Sequence, residues 1–377
     1  MSIPLSTLLE KLESLAPLRY AEEWDNVGLL IDPRARGADL AVRRVMLCID
    51  ATPAVVEEAV NARIGCLVAY HPPLFRPQKR LSNADAPLLF AAARHGFAVY
   101  SPHTALDAVP EGINDWLVEA LPVGAAQALT PYPEHDPNAR FKLVVFVPRD
   151  HADRLRDALS EAGAGRIGAY SRCSFNITGE GTFFGEPGAS PVVGQAGELE
   201  RVDEERLEMV CSQRSLPAIS ATIARHHPYE EPAWDLYPLA PKPDERAGAG
   251  RLVTLEQETS LSDIVERFKS HLELPRLRVA LSPAHRDGAY VRRVAICAGS
   301  GRSVFEKAPE AEVYVTGELG HHDVLALVNR GKSVVLAEHT HTERGYLPRF
   351  RERLLSATQN EAEVLLAESD REPLAWI

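Results

Sequence analysis

The chain has 377 residues, of which 45% are hydrophobic and 25% charged, and its formal net charge is −12. That length allows two or three domains, and the composition excludes a disordered or low-complexity chain. The acidic balance argues against nucleic-acid and anionic-membrane partners, which favour basic surfaces, and no apolar run approaches the roughly 18 residues needed to span a bilayer.

The N-terminal MSIPLSTLLEKLESL carries Glu10 and Glu13 inside its apolar pattern. It therefore reads as an amphipathic helix and not as a secretory leader. The five cysteines, Cys48, Cys66, Cys173, Cys211 and Cys297, form no C-x-x-C pair, and three lie in apolar strand-like runs. Buried, reduced thiols in a cytoplasmic protein are expected.

The first block alternates strands and helices. VRRVMLCID predicts a strand, and TPAVVEEAVNARI a helix with Thr52 as N-cap and Pro53 at its first position. CLVAY (strand), APLLFAAARH (helix) and FAVYS (strand) follow, which predicts a parallel α/β sheet. Two stretches rich in Pro, Ala and Gly, one starting at Pro122 and one ending at Gly250, read as linkers. Between them, FKLVVFVP, HADRLRDALSEAG, SRCSFNITGEGTFF, ERLEMVCS, LPAISATIARH and AWDLYPL run in the order β-α-β-β-α-β. That is the order of a ferredoxin-like α+β domain, expected over residues 139–240. The segment HHPYEEPAWDLYPL at its exit reads as structural or as an interface.

The third block resumes the α/β pattern with VRRVAICAGSG, EVYVTG, LGHHDVLALVNRG and SVVLAEH. It repeats the first. VRRVMLCID matches VRRVAICAG, and LLFAAARHGFAVYSPHTALD matches DVLALVNRGKSVVLAEHTHTE. Each copy of the longer stretch ends in His-Thr-x-x followed by an acid. Residues 1–130 and 245–377 are thus expected to form a duplicated α/β core with mixed or parallel sheets.

Ligands of open parallel sheets bind beyond the carboxyl ends of the strands. There the sequence places His71, then His103 and Asp107, then Glu318, His321 and His322, then His339, His341 and Glu343. Alone, Asp107 reads as a helix N-cap and Glu343 as a first-turn acid facing the helix dipole, and His321 and His322 read equally as solvated residues. Together, His71, His103, Asp107, His339 and Glu343 are expected to converge on one edge of the sheet. Imidazole and carboxylate suit zinc, iron or manganese, and such a set can bridge two ions about 3.5–4 Å apart. The Gly299–Gly301 stretch reads as a tight turn in preference to a phosphate cradle.

EEWDNVGLLID, AYHPPLFRP, SPHTALDA, AEVYVTGELGHHDVL and EHTHTERGYL, spread over both core blocks, resemble the GTP cyclohydrolase I type 2 homologues, also called the Nif-three-like family. The inserted segment resembles that of the longer members, which is similar to the trimeric PII and CutA-type proteins. The resemblance implies a centre of two divalent metal ions per subunit, with His71, Asp107, His339 and Glu343 on ligand positions. It places His103 beside the metals as the candidate for proton transfer, and it implies a ring-shaped homohexamer with sites facing an inner cavity. One residue departs from the pattern. Tyr70 stands where many members have a histidine, and a protonated phenol, with an ordinary pKa near 10, coordinates only weakly. Full occupancy of the second metal position is therefore open.

The implied activity is hydrolysis of a small, nucleotide-like substrate. In the family's named reaction water attacks C8 of the guanine ring of GTP, formate leaves, and the product rearranges to dihydroneopterin triphosphate. The alternative is a non-enzymatic metal-binding or regulatory hexamer, at which the PII-like insert hints.

Overall fold

The computed structural model describes residues 1–374 except 36, 37, 78, 80, 85, 135 and 137. It divides into two compact units, Met1–Tyr132 with Asp244–Ile377, and Pro133–Pro243.

The first unit is a mixed α/β structure built on two large sheets. One has five strands in the order Glu363–Leu366, Arg44–Cys48, Cys66–Ala69, Ala98–Ser101, Gly28–Ile31. Its first four strands are parallel and the last is antiparallel to its neighbour. The other has six, in the order Arg278–Ala280, Ser333–Leu336, Val313–Glu318, Tyr290–Ser300, Lys242–Ser260, Gly124–Glu134. Ser333–Leu336, Val313–Glu318 and Tyr290–Ser300 run parallel, flanked by antiparallel partners.

Local chemistry explains these elements. The helix Pro53–Asn61 begins where the Thr52 hydroxyl accepts the Val55 N–H at 3.3 Å, with Pro53 at its first position. The helix Pro87–His95 stops at Gly96, whose φ of +71° turns the chain out of the helix. The strands Cys66–Ala69, Ala98–Ser101 and Ser333–Leu336 are buried at every residue, as strands covered on both faces must be.

Alternate residues of each sheet go to different cores. Val45, Leu47 and Val68 of the five-stranded sheet share one core with Val294, Ile296 and Val315 of the six-stranded sheet. The helices Leu5–Leu15, Leu261–His271 and Leu347–Ala357 add Leu8, Phe268 and Leu354 to it. The opposite face of the five-stranded sheet packs Met46, Leu67 and Val99 against the helices that carry Val55 and Ala92. Because the shared core joins the sheets, the loops at their carboxyl ends are held at fixed separation.

Two expectations need correction. The Pro/Ala/Gly-rich stretches do hold the boundaries between the two units, but they are not loose chain: much of each lies in the neighbouring strands Gly124–Glu134 and Lys242–Ser260 of the six-stranded sheet. Their glycines mark close backbone approach. A Cβ on Gly124 would lie 2.6 Å from the Thr254 carbonyl oxygen, and one on Gly248 would lie 2.0 Å from that of Thr130. The ligand-type residues also do not follow one sheet. His71 and His103 follow the five-stranded sheet, whereas His339 follows the six-stranded one.

The second unit has an antiparallel sheet in the order Trp234–Pro238, Phe141–Pro148, Leu199–Cys211, Phe175–Phe184. The helices Ala152–Glu161 and Leu216–His226 cover one face, packing Leu155, Leu159, Ile219 and Ile223 onto Leu143, Val145 and Leu207. His227, at the start of HHPYEEPAWDLYPL, is buried with its Nε2 2.8 Å from the Phe146 carbonyl.

All five cysteines are free, and four are buried. Among the described residues no helix is long and apolar enough to cross a membrane.

Candidate metal centre

The centre is assembled from strand ends. After the strand Cys66–Ala69 the ladder runs on for two residues, since Tyr70 N–H donates to the Cys48 carbonyl at 2.8 Å and His71 N–H to that of Ile49 at 3.0 Å. His71 is thereby set beside Asp50, which follows the neighbouring strand. Its Nδ1 lies 2.9 Å from Asp50 Oδ1. On the six-stranded sheet, His339 Nδ1 lies 3.0 Å from Oε1 of Glu318, the last residue of the strand Val313–Glu318. With Nδ1 of both imidazoles engaged by an acid, Nε2 is the free nitrogen of each.

Both Nε2 atoms face Glu343. Its Oε1 is 3.3 Å from His339 Nε2, and its Oε2 is 3.5 Å from His71 Nε2. Glu343 is 1% exposed, and its Oε2 has no hydrogen-bond partner. A carboxylate oxygen sealed from water without a donor is costly unless a cation compensates it. Two imidazole nitrogens and this oxygen lie within 4.8 Å of one another, so the donor set fits a divalent ion. Gly299 keeps the space open. Its φ is +58°, and a Cβ there would stand 2.7 Å from Glu343 Oε1 and 3.0 Å from His339 Nε2.

Asp107 and His103 lie on the helix His103–Ala108 and line the same 520 Å³ cavity as His339 and Glu343. The Tyr70 hydroxyl donates to Asp107 Oδ1 at 2.7 Å. Burial, with the Asp107 and Glu343 charges, pushes the Tyr70 phenol well above its ordinary range, so it remains a donor. The His103 ring is 5.4 Å from that of His71, and its Nδ1 lies 2.8 Å from both oxygens of Asp25.

Titration follows from this crowding. Burial foremost, with the charge of Glu343 adding, lifts Asp107 to about 7 against the lowering influence of His103 and Tyr70. Burial pulls His71 down, but the Asp50 hydrogen bond and the charges of Glu343 and Asp50 outweigh it and raise His71 to about 10. Without a cation, protons do the neutralising.

Of the expected residues, His71, His339 and Glu343 meet in one cluster. Asp107 sits beside it, tied to Tyr70, and His103 beside it, tied to Asp25. His321 and His322 are exposed at a helix start, and His341 Nδ1 is bonded to the Ala337 carbonyl at 2.9 Å. Sequence reasoning missed the orienting acids Asp25 and Asp50, and it left Glu318 without a role. The strand-end rule, applied to every acid, finds Asp50 and Glu318. Asp25 follows no strand, and it reaches His103 only through the fold.

The fold defines a mixed α/β protein whose two sheets bring two imidazoles and a carboxylate together as a candidate metal site. The Duf34/NIF3 (NGG1p interacting factor 3) family model matches residues 3–373, and the chain belongs to that family. It is 35% identical over 380 residues to NIF3-like protein 1 of Bos taurus, covering 98% of this chain and 92% of that one. It is 33% identical over 382 residues to the GTP cyclohydrolase 1 type 2 homolog of Halalkalibacterium halodurans, covering 98% of each. A solved Bacillus cereus protein related to NIF3 superposes with a TM-score of 0.66 at 30% identity, covering 100% of this chain and 99% of that one.

Proposed function

We propose that the protein is a divalent-metal-dependent hydrolase of a small, nucleotide-like substrate. The observation that carries this reading is the sealed Glu343 carboxylate, facing two imidazole Nε2 atoms with one oxygen unpartnered. His71, His339 and Glu343 hold one ion. Asp107, whose carboxylate accepts the Tyr70 hydroxyl, would be a ligand for a second ion. When bound, such ions supply Lewis acidity and make water a better nucleophile near neutral pH. His103 takes or returns the proton, since an imidazole is suited to transfer in that range.

The cavity volume of 520 Å³ lies within the range of small-molecule sites. Trp24 and Phe75, 62% and 47% exposed, line it with aromatic rings, a side-chain type that suits a planar ring. Lys307, also on the cavity wall, suits an anionic group. Opening of the guanine ring of GTP is the narrowest form of this proposal and follows the name borne by several relatives. A homohexameric, cytoplasmic enzyme, its second unit a ferredoxin-like domain akin to PII and CutA, belongs to the same reading. The β-α-β-β-α-β order of that unit supports the last point.

The test is elemental analysis of protein purified without chelator, followed by incubation of the metal-loaded protein with GTP and a nucleotide panel. Formate release with pteridine fluorescence supports ring opening. Metal-dependent turnover of another member supports the broader hydrolase. Stoichiometric metal with no product from any member overturns the enzyme reading in favour of a metal-binding regulator.

A further inference from the structure

The segment Glu22–Asn26 has no metal-ligand role in the reading above, yet it reaches into the cleft. Asp25 has a fully buried side chain. Its two oxygens both lie 2.8 Å from His103 Nδ1. Oδ2 also accepts the Thr104 N–H at 3.2 Å and the Thr104 hydroxyl at 2.5 Å. The same hydroxyl oxygen accepts the Glu22 N–H at 3.0 Å, which closes the segment onto the helix His103–Ala108. A second tie, from the Asn26 side chain to the Leu74 carbonyl, fastens the other end.

We infer that Asp25 is a positioning residue that fixes His103 as the Nδ1–H tautomer and leaves its Nε2 as the proton acceptor of the cleft. Four observations carry this. The carboxylate offers Nδ1 only acceptor atoms, so the imidazole must donate there. Among the described residues no hydrogen bond is made to His103 Nε2, the nitrogen on the ring edge away from Asp25. His103 lines the cavity beside Tyr70 and Asp107, 5.4 Å from the His71 ring, where a proton leaving water or substrate is within reach. The backbone at His103 has a φ of +30°, a conformation that a non-glycine residue keeps only when its surroundings hold it. The clamp of Asp25 on both His103 and Thr104 is what holds it.

Burial raises the Asp25 pKa, but the bonds from His103 and Thr104 more than offset this and keep the carboxyl below its ordinary value. The acceptor role rests on the hydrolase reading; the tautomer does not.

The geometry makes the diagnostic substitution specific. In Asp25→Asn both Thr104 donors hold the amide oxygen at the Oδ2 position. The NH2 group at the Oδ1 position then sets a donor 2.8 Å from Nδ1, against the Nδ1–H, and this repulsion favours the tautomer in which Nδ1 accepts. The ring proton moves to Nε2, and the cleft loses its base without losing the shape of the clamp.

The experiment uses the full-length, zinc-loaded protein labelled with 15N-histidine, at a pH where the imidazole is neutral. Long-range 1H–15N correlations, assigned with His103→Gln, read the tautomer directly. The expected result is a protonated Nδ1 and an unprotonated Nε2 at His103 in the parent protein, reversed in Asp25→Asn. In parallel, acylation of His103 by diethylpyrocarbonate, followed by peptide mass spectrometry, reads the free nitrogen without any substrate. It should slow about tenfold or more in Asp25→Asn, with zinc content unchanged, because the unprotonated nitrogen then faces the clamp and not the cleft.

A parent protein already protonated at Nε2, or an Asn variant with the parent tautomer and acylation rate, overturns the inference. Should Asp25→Asn fail to fold, the parent spectrum alone still decides. Absence of turnover in the nucleotide panel would remove the proposed hydrolase and the acceptor role, and would leave the measured tautomer standing.

Discussion

The two His-Thr-x-x-acid stretches of the core share a pattern of residue types and do different things in the fold. In the second, His339 turns Nε2 onto Glu343 and gives Nδ1 to Glu318, so both members of the pair face the cation position. In the first, His103 gives Nδ1 to Asp25, and Asp107 is taken by Tyr70. The imidazole that does join the cluster from the five-stranded sheet, His71, comes from the strand before, oriented by Asp50. Both loops leave the ordinary backbone region, at His103 with φ +30° in one and at Glu338 with φ +67° in the other, and strain of that kind gathers at functional sites. The difference teaches that a repeated sequence motif supplies like residue types, while the partner each one meets in the fold decides its role.

The sharpest way to break this comparison is to remove one acid from each stretch. Glu343→Gln should drop bound metal from stoichiometric to background in elemental analysis, with the fold intact by circular dichroism, because it removes the carboxylate that faces both imidazoles. Asp107→Asn should lose no more than part of the metal. Equal and complete loss in both variants would mean the two stretches are equivalent after all.

Tyr70→His tests the reason for the asymmetry. It replaces a phenol that occupies Asp107 with an imidazole donor, and the ion count per chain should rise if the parent protein binds fewer than two. An unchanged count with an unchanged affinity would remove Tyr70 as the cause.

Smaller effects belong to the orienting acids. Asp50→Asn and Glu318→Gln should weaken metal binding by about 10–100-fold in a chelator competition, the usual scale for groups that fix a ligand imidazole. Asp50 should matter more, because its side chain is 34% exposed against 57% for Glu318. The reverse order would place the weight on His339 and the six-stranded sheet.

The mildest effect is on protons. Ligands must be deprotonated to bind metal, and Asp107 is raised to about 7 and His71 to about 10 in the metal-free protein. Protons held below those values must leave, so affinity should increase as pH rises through the neutral range. Calorimetry in buffers of different ionisation enthalpy should show proton release, and a pH-independent affinity would contradict the placement of both groups.

Much of the fold was legible because its signals are local. Runs such as CLVAY and FAVYS read as strands, and Thr52-Pro53 as a helix start, since hydrophobic period and capping chemistry act over a few residues. The strand-end rule found His71, His339 and Glu343 for the same reason. The strands Gly124–Glu134 and Lys242–Ser260 were illegible because glycine and alanine mark flexible chain in one setting and tight backbone packing in another. The strand Glu363–Leu366 was missed too, and nothing near it in sequence tells that it pairs with Arg44–Cys48 at the other end of the chain.

By itself the amino-acid order determined the family, the α/β class of the core and the imidazoles and acids available for chemistry, because motif and periodicity are short-range properties. Only the tertiary structure decided that those residues come from two sheets, that Glu343 stands sealed between His71 and His339, and that Asp25 reaches His103. Such pairings span up to 272 positions from His71 to Glu343. Packing of a shared core, not sequence proximity, brings them within hydrogen-bonding reach.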